Sequence, residues 1–370
     1  MSFQQVSIKN FRAIESLEMD NIKQVNLLTG KNNCGKTSVL EAIFLLAGMS
    51  NPQLVVNIHN FRGLTLNDNK DFSYLFHGFD FSKTPSMSGG QGSQERTLTI
   101  SPIYSTTTGI VEQIPGKHEA AGNEPISSTI TTEEVPDGLA FDFGLDEKSF
   151  HAEVKITQGN PATPFPGVNL SIGQINIQPA PNYRDSLNAS FTNPGTIMAG
   201  LYQRIEAVLI KKKSDEIIGA LREIEPNLHD LRLGTGNMIY SDITGIERLV
   251  PINIMGDGII KILSILVTIS EMRDGVLLID EIENGLHYSA LVPLWKAIFK
   301  MASASNVQLF IATHSYECID AMADVYRESG MGEDFISLFR IEQDEGGRHY
   351  AVQYKASTLL VGIERNFEVR

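Results

Sequence analysis

The chain has 370 residues, 42% of them hydrophobic and 20% charged, a globular composition that excludes wholesale disorder and supplies a sizeable core. Forty-four Asp and Glu against 30 Lys and Arg leave a net charge of −14, which excludes tight binding to duplex nucleic acid except through a local basic patch. Two cysteines, Cys34 and Cys318, exclude a disulfide framework, no secretory signal opens the chain, and no apolar run approaches the roughly 18 to 20 residues that span a bilayer. A cytoplasmic protein without membrane contact is expected, built as about two folding units or one domain carrying an insertion.

The spacing predicts a βα unit over 1–48: strands near 3–8 and 25–29, a glycine-rich turn, then an apolar helix over 36–47. From about 50 to 200 the pattern changes to short β-like runs such as 96–100 and 152–157, and two polar stretches, 82–94 and 105–136, read as long mobile loops. A helix is predicted over 201–225, its apolar face broken by Lys211, Lys212 and Lys213, which read as a solvated surface. Alternation resumes after 250, with helices over 258–273, 286–303 and 316–328 and strands over 276–280 and 307–313. Two β runs, 335–342 and 350–354, and a short helix end the chain. The predicted class is α/β: a core split into 1–80 and 250–345, a β-rich insertion over 81–200, a helical lid-like segment over 201–249 and a β/helix finish over 346–370.

Gly30-Lys31-Asn32-Asn33-Cys34-Gly35-Lys36-Thr37 fits the phosphate-loop pattern G-x-x-x-x-G-K-[ST] between a strand and a helix. The glycines let backbone N–H groups from Gly30 to Ser38 curl around a phosphate, and the helix that follows aims its positive end at that charge. Lys36 then reaches the β/γ-phosphates of ATP and the Thr37 hydroxyl ligates Mg²⁺. Cys34 reads as a small filler whose backbone N–H serves the loop. Residues 276–279 are an unbroken apolar run ending in Asp280-Glu281, as for a buried parallel strand that delivers two carboxylates at its carboxyl end. Asp280 is expected in the Mg²⁺ shell, and Glu281 is expected to activate the water that attacks the γ-phosphate. One strand further on, Thr313-His314-Ser315 places His314 where it can sense the γ-phosphate.

With these motifs in this order the chain resembles ABC-type ATPases. Its opening, Val6-Ser7-Ile8-Lys9-Asn10-Phe11-Arg12, is similar to the start common in the soluble SMC, RecF and OLD-like branch, which transporter cassettes lack. More specifically it resembles the compact bacterial OLD-like AAA-type ATPases that carry a GDG signature, a DEIENGLH box and a THS box, several of which belong to anti-phage defence modules. The resemblance covers about 1–80 and 200–345. It implies an ABC-type P-loop core with a β-rich and partly helical insertion between the Walker A and signature motifs, with ATP and Mg²⁺ as ligands.

Such enzymes need a signature loop that reaches the γ-phosphate held by a partner copy. Ser88-Gly89-Gly90-Gln91 copies the transporter signature but lies far upstream of Asp280, and reads as a coincidence. Gly256-Asp257-Gly258 lies shortly before Asp280 and opens an apolar helix, so it reads as the signature, although it lacks the usual Ser. His287 stands in the D-loop position where larger ABC relatives have Asp. The resemblance also brings Arg12 and the stretch Pro181-Asn182-Tyr183-Arg184 toward the nucleotide, and no glutamine loop is identifiable.

Three functions compete: an ATP-driven switch that dimerises head to tail around two nucleotides, an ABC transporter subunit, and a scaffold that holds ATP with little turnover. The first is the expected one, as a homodimer or higher oligomer. OLD-like relatives often carry a nuclease domain after the ATPase; the stretch after His314 is too short for one, so a separate effector protein is expected.

Overall fold

The computed structural model describes residues 3–92, 94–111, 129–157 and 174–365. Strands β1 (Gln5–Phe11) and β2 (Ile14–Met19) alternate buried with exposed positions, the pattern of strands that put one face on a core and one in solvent. Strand β3 (Val25–Thr29) is buried at every residue, as a strand covered on both faces must be. It leads into helices α1 (Lys36–Ala47) and α2 (Gln53–Phe61).

Strands β4 (Ser86–Gln91), β5 (Gln94–Val111), β6 (Thr129–Leu145), β7 (Lys148–Thr157) and β8 (Gln174–Gln178) extend the β1–β2 hairpin into one seven-stranded antiparallel sheet, ordered β2-β1-β4-β5-β6-β7-β8. The two expected loops are thus largely strand: β4 occupies the middle of 82–94, and β5 and β6 take the two flanks of 105–136, of which 112–128 lie outside the described residues. The inward positions of β4 explain why its alternation was hidden. They are Met87 and Gly89, and the second has no side chain to register as apolar. Gly89 pairs with Val6 of β1, and a Cβ there would come within 2.8 Å of the Phe3 ring. The SGGQ stretch is therefore a packing strand.

Strand β9 (Ala189–Thr192) precedes two helices, α3 (Leu201–Ile210) and α4 (Ser214–Leu221), where one was expected. The break falls on the lysine cluster, whose side chains are all exposed and where Lys212 takes a left-handed φ of 53°. The expected helical lid is half β: β10 (Leu228–Leu233), β11 (Ile239–Ile243) and the short β12 (Val250–Pro251) form a three-stranded sheet. The chain then runs through α5 (Asp257–Glu271), β13 (Val276–Ile279), α6 (Leu291–Ser305), β14 (Gln308–Ala312), α7 (Tyr316–Ser329), β15 (Ile336–Gln343), β16 (His349–Lys355) and α8 (Ala356–Glu364).

The second large sheet has six strands in the order β16-β15-β3-β14-β13-β9; all are parallel except β16. Its neighbours do not respect the expected boundaries, since β9 from within 81–200 edges the core sheet and β1 and β2 from within 1–80 belong to the antiparallel one. Helix α1 lies between the two sheets. Alternate residues of each core strand face opposite sides: Val276 and Leu278 pack with α1, whereas Leu277 and Ile279 pack with α5, α6 and α7. Among the described residues no helix is long and apolar enough to cross a membrane.

A buried arginine joins the antiparallel sheet to the helix that carries the phosphate loop. Arg96 of β5 is only 2% exposed; its Nη1 lies 3.1 Å from Asp185 Oδ1, its Nη2 bonds Asp185 Oδ2, and Nη2 and Nε donate to the carbonyls of Ala47 and Leu46 at 2.9 and 3.3 Å. A cation there complements the carboxyl end of the α1 dipole. Arg96→Ala strands the Asp185 carboxylate and two helix carbonyls, so urea unfolding should show a loss of about 3 to 5 kcal/mol.

Candidate functional site

Because β3, β14 and β13 are adjacent, the segments leaving their carboxyl ends emerge side by side on one edge of the sheet. The phosphate loop leaves β3. Gly30 has φ +135° and a Cβ there would lie 2.4 Å from the Ile341 carbonyl oxygen; Gly35 has φ +96° and would meet the His349 ring. Both positions demand glycine, and the backbone between them is free to wrap an anion at the start of α1.

Lys36 Nζ donates to the carbonyls of Gly30 and Lys31 at 2.8 and 2.9 Å, and lies 3.9 Å from the sulfur of Cys34, which is buried. Thr37 Oγ1 donates to Asp280 Oδ2 at 2.8 Å, joining the phosphate loop to the end of β13. Burial pushes the Asp280 carboxyl above its ordinary value, Glu281 and Glu41 add to the shift, and the Thr37 hydrogen bond and Arg62 oppose it. A hydroxyl and a carboxylate in contact suit a hard divalent cation such as Mg²⁺. Glu281 adopts a left-handed φ of 50°, and its Oε2 accepts from Asn284 Nδ2 at 3.0 Å. His314, half-exposed, follows β14 and points its Nδ1 at Glu283 Oε1, 3.2 Å away.

A cleft of about 460 Å³ gathers Asn32, Asn33, Gly35, Lys36, Thr37, Ser38, Asp280, Glu281 and His314, and adds Arg62, which no motif had marked. Arg62 follows α2 and is held by Glu41 of α1, with Nε to Oε1 at 2.7 Å and Nη2 to Oε2 at 3.0 Å. Burial lowers its pKa, but the Glu41 hydrogen bond and charge, with Asp280, outweigh that and hold it above the ordinary value. Glu41 is 1% exposed and also pairs with Arg12, whose Nε lies 2.6 Å from Oε2. Burial pushes the Arg12 guanidinium down to about 10.

Arg12 was expected at the nucleotide. It is instead tied to Glu41 and the Tyr74 carbonyl, and does not line the cleft; its neighbour across Glu41 does. Nor do residues 181–184 line it: Tyr183 packs on Phe143 and Phe150, ring centroids 5.1 and 4.5 Å away, and Arg184 is exposed. Gly256, Asp257 and Gly258 also lie outside it, at the start of α5, where an added Cβ on Gly256 would meet nothing within 4 Å. His287 accepts from the Ser289 N–H at 3.4 Å and starts the turn before α6. A larger hollow of about 810 Å³ sits by Lys23 and Gln308, but there the Gln308 amide already bonds Phe3 and Lys23.

Two family models match the chain: one described as "AAA ATPase domain" over residues 1–81, the other as "AAA domain, putative AbiEii toxin, Type IV TA system" over 176–320. An ATP/GTP phosphatase of Helicobacter pylori is 24% identical over 357 residues, 92% of this chain and 93% of that protein. The DNA replication and repair protein RecF of Pseudoalteromonas translucida is 47% identical over 47 residues, 13% of each protein. The SMC head domain from Thermotoga maritima shares the fold at a TM-score of 0.51 and 11% identity, over 96% of this chain and 100% of that one. The family matches and the phosphatase relative support an ATPase, and the fold is the one seen in an SMC head domain.

In this ATPase the cleft is lined by two cations, Lys36 and Arg62, and by the acids Asp280 and Glu281. Arg62 is pre-positioned by Glu41, so an anion gains its charge without ordering a free side chain. Arg62→Ala should weaken ATP binding by about 1.5 to 3 kcal/mol, the worth of a hydrogen bond to a charged group, as read by nucleotide titration.

Proposed function

We propose that this ATPase binds ATP with Mg²⁺, closes as a head-to-tail dimer around two nucleotides and opens on hydrolysis, and that the cycle controls a separate effector protein in an anti-phage defence module of the OLD-like kind. One observation carries the dimer: the phosphate loop, acid pair and histidine share a cleft, while the Gly256-Asp257-Gly258 turn opens elsewhere, with clear space around Gly256 and only Leu286 within 4 Å of a Cβ added at Gly258. A helix start aimed outward fits an anion held by a second copy. Large apolar side chains beside it support that face as an interface: Ile254 is 74% exposed and Tyr288, just past the D-loop position, 70%. The defence role is supported by the toxin–antitoxin system named in the description of the family model over 176–320. The phosphatase name of the Helicobacter pylori relative supports hydrolysis.

Chemically, backbone N–H groups of the loop and Lys36 would bind the phosphates, with Arg62 adding charge on the same wall. Thr37 and Asp280 would hold Mg²⁺, which when bound neutralises charge on the phosphate oxygens. Glu281 would orient the attacking water and accept its proton, its carboxylate steadied by Asn284. His314 would meet the γ-phosphate from the third strand. Closure would exclude water and raise the worth of each charge. The net charge of −14 and the absence of any motif for base recognition support control of a protein effector in the cytoplasm over tight binding to duplex.

Lys36→Ala should lose nucleotide binding, whereas Glu281→Gln should keep ATP and lose about 10² to 10⁴ in rate. Full turnover by Glu281→Gln overturns hydrolysis by this route; bound ATP with no turnover in the parent chain points to a scaffold.

The dimer has its own test. Gly258→Arg fits the single chain, because only the tip of Leu286 lies near, so it should bind ATP without hydrolysing it. Mixed with Lys36→Ala, it should regain part of the activity, since one composite site then has an intact Lys36 and an intact Gly258 from different copies. Mixed oligomers that form and stay inactive overturn the head-to-tail arrangement.

A further inference from the structure

The loop after Glu281 contains a carboxylate that no motif explains. Glu283 is 11% exposed, and its Oε2 is buried without a hydrogen-bond partner. A carboxyl group in such a place costs free energy unless its charge is used. Its other oxygen is used twice: Oε1 accepts from the His314 backbone N–H at 3.0 Å and faces His314 Nδ1 at 3.2 Å. An ionised carboxylate can only accept, so Nδ1 carries a proton where it faces Glu283; a phosphate oxygen likewise can only accept, so Nε2 must carry one as well to bond it, and the ring would meet ATP as an imidazolium held between two anions. His314 is 52% exposed, and without that anchor its ring would be free to turn in solvent.

The charge has a source of compensation in α5, the helix that starts at Asp257. Lys261 of α5 donates to the Asn284 carbonyl; burial lowers its pKa, and the charges of Glu283 and Glu281 raise it. Asn284 in turn holds Glu281. Glu283 and Asn284 thus link α5, the carboxylate expected to activate water and the histidine.

We propose that Glu283 is the positioning residue of His314, holding its Nδ1–H and backbone N–H so that Nε2–H is directed at the γ-phosphate. This rests on the reading of His314 as a group that meets that phosphate. The arrangement explains why an acid stands two residues past Glu281. A merely structural acid would bond the His314 main chain and leave the ring unconstrained.

The test uses the full chain and ATP. Glu283→Ala should lower kcat by about 10- to 100-fold, the cost of a misplaced catalytic group, and leave KM for ATP unchanged. The double variant Glu283→Ala/His314→Ala should be no slower than His314→Ala alone, because both changes remove the same contribution. Glu283→Gln keeps an acceptor oxygen and should retain more activity than Glu283→Ala, which guards against a folding defect. Independently of turnover, ¹⁵N spectra of histidine-labelled protein with a non-hydrolysable ATP analogue bound, assigned with His314→Asn, should show His314 protonated at both ring nitrogens in the parent chain and at Nε2 alone in Glu283→Ala. Additive losses in the double variant, a rise in KM with kcat unchanged, or an Nδ1 without its proton in the nucleotide-bound parent chain each overturn the proposal. Failure of hydrolysis as such is read from Glu281→Gln, and the protonation of Nδ1 then judges Glu283 by itself.

Discussion

The parallel pairing of β14 with β3 on one side and β13 on the other is the constraint from which the site follows. All three strands are buried along their whole length, with helices on one face and α1 with the antiparallel sheet on the other. A strand covered on both faces has no room for charge until it ends. The first residues able to reach solvent are therefore those just past the carboxyl ends, and these are the phosphate loop, the Thr313-His314 turn and the Asp280-Glu281 pair. The 2.8 Å bond from Thr37 to Asp280 then closes the distance between two of them.

Charge buried near that edge is matched almost one for one. Glu41 stands between Arg12 and Arg62, Arg96 answers Asp185, and Lys261 faces Glu281 and Glu283. These pairings fasten α2 to α1, the antiparallel sheet to the far end of α1, and α5 to the loop after β13. The chain is acidic overall, yet the cleft holds Lys36 and Arg62 on one wall. An anionic ligand thus meets two fixed cations there, beside the acids Asp280 and Glu281.

The antiparallel sheet is more than an insertion. Its first two strands come from the start of the chain, and the loop that joins them carries Arg12, so the sheet reaches the phosphate-loop helix from both ends: through Glu41 near its start and through Arg96 at its finish. That arrangement ties the amino-terminal lobe to the helix whose dipole would hold a phosphate.

Taken alone, the sequence determined the βα unit around the phosphate loop, the apolar strand that ends in Asp280-Glu281, and the strand that ends in Thr313-His314. Each is a local pattern, either glycines at fixed spacing or a run of apolar residues that stops at a polar one, and local patterns survive without knowledge of the partner strand. Tertiary structure decided the rest. Strand β4 was hidden because its core-facing positions include Gly89, whose contribution is the space it leaves for Phe3. Arg62 was hidden because its role depends on Glu41, a residue buried in a helix that is otherwise apolar from Val39 to its end. Arg12 was assigned to the nucleotide by resemblance, and the same glutamate draws it away. Glu283 looked like one more acid in a D-loop box until folding set it against His314, thirty-one residues further along the chain. Spacing along a chain records which residues share an element; which charges meet across elements is settled only when the strands take their order in the sheet.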